Sequence, residues 1–207
     1  MSFFDFHHHK KYHNGIYNLN FRDETPKHLF STGIHPKDIS AQWESDFRRV
    51  KEVSLKSNCG AIGECGLDGL IDVDEKLQET IFEKHILWAN NVKKPVIIHC
   101  VRKFSQLIRF SKIAAVPLIV HGFNKKQSIA DELLNSGFYL SFGRAVFHNV
   151  SLQTVVKDFP IERMFLETDD ADFNIAELYE KVSELKNITA EDLQNQIFEN
   201  LERIRNL

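Results

Sequence analysis

Short apolar runs recur along the chain, and most of them end in a side chain that can hold a metal ion. Residues 3–6 lead into His7 and His9, 29–33 into His35, and 60–63 into Glu64. Residues 96–98 lead into His99, 118–120 into His121, and 164–166 into Glu167 and Asp169. Runs 16–19 and 138–142 have the same strand character without an evident ligand. Together these runs predict eight strands. Between the later ones the apolar spacing changes to a helical period. Segment 41–56 puts Trp43, Phe47 and Val50 on one face, and 75–92 does the same with Leu77, Ile81 and Trp88 before Pro95 stops it. Shorter helices are predicted at 104–113, 127–135 and 152–159, and two more at 176–185 and 190–204. Thr189 with Asp192 reads as a capping box for the last of them.

Strands alternating with helices predict a parallel sheet of the α/β class. Eight of them predict a TIM-type (β/α)8 barrel, with residues 1–207 as one domain. In that fold, chemistry sits at the C-terminal strand ends, where the polar residues fall here. The first three strands follow one another closely, across gaps at 10–15 and 20–28. A helical crossover needs a dozen or more residues. The first two outer helices are therefore expected to be missing or reduced to turns.

Composition narrows the setting. Hydrophobic residues at 43% and charged residues at 27% exclude a disordered chain. The longest apolar run, 114–120, is too short to span a bilayer and contains Pro117, so no membrane partner is expected. Asp5 and three histidines stand where a secretory signal would need an apolar core. Three widely spaced cysteines give no disulfide framework, and a cytoplasmic, reducing location is the expectation. The net charge of −3 excludes nucleic-acid binding by bulk charge, but not a local positive site built from metal ions.

The sharpest local signal is Asp5-Phe6-His7-His8-His9. On a strand, His7 and His9 share one face and His8 takes the other, so two imidazoles can chelate one divalent ion. Glu64 ends a small apolar strand between Gly63 and Gly66, which let a metal or substrate approach the backbone. His99 and His121 each follow a proline and three aliphatic residues, a repeated form that a chance structural histidine does not explain. Asp169 closes the last strand. Four histidines, one glutamate and one aspartate thus point into one barrel mouth. Nitrogen and carboxylate donors without thiolates suit Zn, Mn or Mg. Six ligands are too many for one open catalytic ion and about right for two, bridged by a carboxylate from a middle strand. Cys65 and Cys100 neighbour ligand positions but should point away from the mouth, and Cys59 has no partner in sequence.

The order Asp5-x-His7-x-His9, Gly33-Ile34-His35-Pro36, Gly63-Glu64-Cys65-Gly66-Leu67-Asp68, His99-Cys100, His121-Gly-Phe123, Ser141-Phe-Gly143 and Glu167-Thr-Asp169 resembles the TatD family of metal-dependent deoxyribonucleases, within the amidohydrolase-like barrel superfamily. The resemblance runs over nearly the whole chain. It implies a first metal on His7, His9, Glu64 and Asp169, a second on Glu64, His99 and His121, and His35 beside the scissile group. The sequence also departs from the pattern. The stretch between His9 and Gly33 is short, the segment 170–174 replaces a basic proline-rich loop, and Val101 intervenes before Arg102.

The expected function is a two-metal phosphodiesterase acting on DNA, with Glu64 and Asp169 as catalytic carboxylates and Asp169 orienting the attacking water. His35, Arg102 and Lys125 are the expected substrate contacts, and Lys10, Lys11, Lys103, Lys126 and Arg144 also follow strand ends. The alternative is a small-molecule amidohydrolase or esterase on the same metals. Counting side chains outward from His7 and His35 puts Phe4, Phe6, Phe30 and Thr32 on the outer face. With helices missing there, either segment 190–204 shifts across to cover them or a second copy does, and a symmetric homodimer is the favoured expectation.

Overall fold

The structure is a computed structural model that describes residues 3–11 and 14–205. Eight parallel strands pair in chain order: β1 (Asp5–His8), β2 (Gly15–Asn20), β3 (Phe30–Gly33), β4 (Cys59–Asp68), β5 (Val96–Val101), β6 (Leu118–Val120), β7 (Tyr139–Phe142) and β8 (Met164–Leu166). The sheet closes on itself at the mouth. His9 N donates to Asp169 O at 3.2 Å, and Asp169 N donates to His7 O at 2.9 Å. The architecture is a TIM-type (β/α)8 barrel.

The described connections β1 to β2 and β2 to β3 contain no helix, as the short gaps predicted. From β3 onward the helices appear: α1 (Trp43–Ser54), α2 (Glu75–Val92), α3 (Phe104–Ile108), α4 (Gln127–Asn135), α5 (Val150–Asp158), α6 (Ile175–Lys186) and α7 (Ala190–Arg205). Side chains mark several starts. Asp74 accepts from Leu77 N at 2.8 Å, Asn149 from Leu152 N at 3.2 Å, and Thr189 from Asp192 N at 3.0 Å. Each satisfies a backbone donor that the first helical turn leaves over. The helix expected at 104–113 is shorter than that, because a 3-10 turn, Arg109–Lys112, finishes the segment.

The homodimer expectation loses its premise. Phe4 and Phe30 are buried by the chain itself. Phe4 meets Phe198 of α7, with ring centroids 6.1 Å apart, so the terminal helix does reach across. Phe30 packs with Tyr17, Leu19 and Cys59 under Val53 of α1. Where a helix is missing beside β2, loop residue His28 lies against Tyr17, with centroids 5.6 Å apart.

Phe6 also departs from the simple alternation. Between Asp5 and His8, β1 advances three residues while β2 advances two, from Gly15 to Tyr17. This bulge lets Phe6 stack on Phe165, at 4.0 Å between centroids. Phe165 lies two residues before Glu167 on β8, so Phe6 faces the barrel interior rather than the outer ring. A second bulge lies between Ile62 and Cys65 of β4, where the chain turns Glu64 into the mouth. Gly63 has φ +140° there, and a Cβ on it would lie 2.3 Å from Ile97 O. Only glycine fits that approach.

Candidate metal centre

The six expected ligands converge at the mouth, and Glu64 is their hub. Its carboxylate is buried, and its two oxygens face different neighbours. Oε1 is 2.7 Å from His121 Nε2, 3.2 Å from His99 Nδ1 and 3.4 Å from His35 Nε2. Oε2 is 3.5 Å from His7 Nε2 and 3.9 Å from His9 Nε2. Asp169 Oδ1 completes the second side, 3.6 Å from His7 Nε2 and 3.3 Å from His9 Nε2. Donor atoms of His7, His9 and Asp169 lie within 4.8 Å of one another, as do those of His7, Glu64 and His121, and those of His35, Glu64 and His99.

Outer carboxylates orient the imidazoles. His99 Nε2 lies 3.0 Å from Asp68 Oδ2, which leaves Nδ1 to face Glu64. His121 Nδ1 lies 3.4 Å from Glu167 Oε1, which leaves Nε2 to face Glu64. Glu167 Oε1 also accepts from Gly122 N at 2.6 Å. A carboxylate behind a histidine fixes its tautomer and raises its basicity as a ligand. Asp5 ties the first and last strands together, accepting from Thr168 N at 2.9 Å and Thr168 Oγ1 at 2.6 Å. Its burial pushes the carboxyl up to about 7.

The residues fit a divalent cation. His7 is fully buried, and neither of its ring nitrogens has a hydrogen-bond partner. Such orphaned donors are costly unless something coordinates them. Four carboxylates, from Glu64, Asp68, Glu167 and Asp169, surround the imidazoles, and positive charge is needed among them. Burial opposes charge on Glu64, yet His121, His35 and His7 hold it well below the usual carboxylate range. Burial likewise opposes charge on Asp169, but His9 and His121 keep it low. His121 is pushed well above the ordinary imidazole range by Glu64 and Glu167, against its burial. The same field would hold a metal ion.

His35 behaves differently from the other histidines. Its Nδ1 accepts from Lys37 N at 3.0 Å, capping a 3-10 turn at Pro36–Asp38. A neutral imidazole has one N–H, so Nε2 carries it and faces Glu64 as a donor. In that tautomer Nε2 cannot coordinate a metal. The thiols are also set aside: Cys65 is fully buried in the core, and burial pushes Cys59 up to about 11 and Cys100 up to about 12.

Arg102 and Lys125 are not in the histidine–carboxylate cluster. Both are exposed and line a separate cleft with Phe104, Ser105, Ile129 and Glu132. Of the other cations, Lys10 pairs with Asp172 at 3.0 Å and Lys103 with Glu75 at 2.7 Å. Asn18 belongs to the site but was not among the expected residues. It donates from Nδ2 to Glu64 Oε2 at 2.9 Å and accepts from Glu64 N at 3.3 Å. The signal was present in β2, where Ile16, Asn18 and Asn20 alternate with buried Tyr17 and Leu19, so a polar residue stands on the interior face.

Comparison with known proteins agrees with this geometry. The family described as TatD related DNase matches residues 10–206. The metal-dependent hydrolase YabD of Bacillus subtilis is 31% identical over 191 residues, covering 83% of this chain and 75% of its own length. A metal-dependent hydrolase of Buchnera aphidicola is 34% identical over 162 residues, covering 75% of this chain and 61% of its own. The 3'-5' ssDNA/RNA exonuclease TatD of Edwardsiella piscicida is 28% identical over 147 residues, covering 67% and 56%. The chain thus spans three quarters of the first relative and under two thirds of the other two. Among solved structures, the TatD homologue YJJV of Escherichia coli aligns with a TM-score of 0.77 at 19% identity, over 86% of this chain and 77% of that one. A TatD family hydrolase of Entamoeba histolytica gives 0.73 at 20% identity, over 86% and 74%. These two show the shared barrel. The family match over nearly the whole chain and the two relatives above 30% identity carry more, and with them the chain belongs to the TatD family of metal-dependent hydrolases.

Proposed function

We propose that the protein cleaves DNA phosphodiester bonds with two divalent ions, Zn, Mn or Mg, which His7, His9, Glu64, His99, His121 and Asp169 would hold. The observation that carries this reading is the division of the Glu64 carboxylate. Oε2 faces the side of His7, His9 and Asp169, and Oε1 faces His99 and His121. One carboxylate between two donor sets is the arrangement a dinuclear site requires. Divalent ions at such a site supply Lewis acidity and a water acidic enough to attack phosphorus at neutral pH.

The chain's own groups do the rest. Asp169 is half-exposed at the rim and kept ionised, so it can accept a proton from the attacking water and orient it. His35 presents an N–H toward the same place, suited to a non-bridging phosphoryl oxygen. Arg102 and Lys125, exposed together, can take a more distant phosphate. A nucleic-acid substrate is supported by the relative whose name gives it 3'-5' ssDNA/RNA exonuclease activity.

A second reading, a small-molecule amidohydrolase or esterase, rests on the ion pairs at the rim. Lys10 and Lys103 are engaged by Asp172 and Glu75 rather than free for phosphates. One experiment separates the two. End-labelled single-stranded DNA and a panel of amides and esters are incubated with the protein and Mg, Mn or Zn. Metal-dependent shortening of the DNA, absent in Glu64→Gln, supports the nuclease. Turnover of an amide or ester beside intact DNA would overturn it.

A further inference from the structure

We infer that Asn18 is a positioning residue that holds Glu64 in its bridging orientation, and so sets the affinity of the ion on the Oε2 side. The inference rests on the two-ion reading above.

A glutamate's terminal torsion is broad, with little intrinsic preference for where its oxygens point. Three imidazoles, His121, His99 and His35, gather at Oε1, the nearest at 2.7 Å. At Oε2 the histidines stand off, at 3.5 and 3.9 Å. The one polar group in hydrogen-bond contact with Oε2 among the described residues is Asn18 Nδ2, at 2.9 Å. Without it, the carboxylate is free to swing toward the three imidazoles and leave His7, His9 and Asp169 without a shared oxygen.

Asn18 is suited to the task because its amide is itself held in one orientation. Oδ1 accepts from the Glu64 backbone N–H at 3.3 Å while Nδ2 donates to the side chain. A flipped amide would set donor against donor and acceptor against acceptor, so chemistry fixes which end is which. The strand that carries it, β2, supplies no imidazole or carboxylate to the site. The grip leaves a second lone pair on Oε2 for a metal. Asn18 Nδ2 also lies 3.4 Å from His9 Nε2, on the same side.

The test is a metal titration and does not depend on turnover. Metal-stripped protein is titrated with Mn2+, with free Mn2+ followed by electron paramagnetic resonance. Two binding steps are expected in the wild type, with His9→Ala removing one and His99→Ala the other. Asn18→Val keeps a strand-forming residue of similar size, and Asn18→Ala is the second variant. Both are first checked for a wild-type far-ultraviolet spectrum and melting curve. At least a tenfold weakening is expected in the step that His9→Ala removes, with the other step unchanged, since loss of a ligand's outer partner commonly costs 10–100-fold in metal affinity. Unchanged steps in both variants, or equal weakening of the two steps, would overturn the role of Asn18. A single step in the wild type would instead overturn the two-ion reading itself.

Discussion

His85 gives a stability prediction whose sign and size follow from two hydrogen bonds. It is fully buried on α2. Its Nδ1 donates to Ile81 O at 2.7 Å, and its Nε2 accepts from Ile34 N at 3.0 Å. The ring therefore links α2 to the residue just before His35. Burial pushes its pKa down from 6.5 to about 4, partly offset by the bond to Ile81. Below pH 6.5 the unfolded chain takes up a proton on this ring, while the folded one does so only near pH 4. Unfolding thus binds protons in that window, and stability falls as pH falls from 6.5 toward 4, then levels off for this group. The difference of 6.5 − 4 = 2.5 units corresponds to about 3 kcal/mol. That is a large share of a typical 5–15 kcal/mol domain stability. His85→Gln keeps an acceptor for Ile34 and a donor for Ile81 but does not titrate. Urea unfolding of both proteins from pH 7.5 to 4, with chelator present so that the metal-site histidines behave alike in each, isolates the effect. The wild type should lose about 3 kcal/mol more than His85→Gln across the window. Parallel curves would refute the argument.

Other outcomes follow from the site. Glu64→Gln removes the charge shared by both donor sets, so metal content measured by atomic absorption should fall together with hydrolysis; retention of both would defeat the bridging assignment. His35→Ala should reduce kcat at least tenfold while metal content stays at the wild-type level, because Nδ1 is engaged by Lys37 N and Nε2 is a donor; a lost ion in this variant would show His35 to be a ligand. Asp5→Ala removes both acceptors and leaves the buried Thr168 N–H without its partner, and a loss of about 1–3 kcal/mol in chemical denaturation is expected; an unchanged midpoint would mean that the β1–β8 link is dispensable.

The sequence made the barrel legible because each strand after β3 is bracketed by helical periods, and Thr189 with Asp192 marked α7 as observed. The two missing helices were legible as arithmetic on gap length. What could not be read was side-chain parity across a bulge. Phe6 was placed outside because alternation was assumed from His7, and one extra residue in β1 reverses that count. The premise of the dimer expectation, uncovered aromatic rings, failed for a related reason. Coverage of Phe30 by Val53 of α1, and of Phe4 by Phe198 of α7, depends on where helices lean, which spacing does not encode. The gathering of His7, His9, Glu64, His99, His121 and Asp169 at one mouth needed only strand ends, and these the apolar runs marked. Asn18 is an amide, and a polar position on a strand does not by itself mark a partner for a carboxylate two strands away.

Barrel closure has a consequence for how the protein is made. The seam between β1 and β8 is joined by the His7, His9 and Asp169 backbones, residues at opposite ends of the strand order whose side chains also face one another at the candidate metal site. A growing chain presents His7 and His9 long before Asp169 has been synthesised, so a complete donor set cannot exist until the last strand has arrived. Contacts of such sequence separation form late and slowly. An ion captured there would act as a clasp on the finished ring, its binding energy counted only once the ring is shut. Loading would then be the final act of biogenesis, and a molecule whose seam has not closed would be kept from hydrolysing anything.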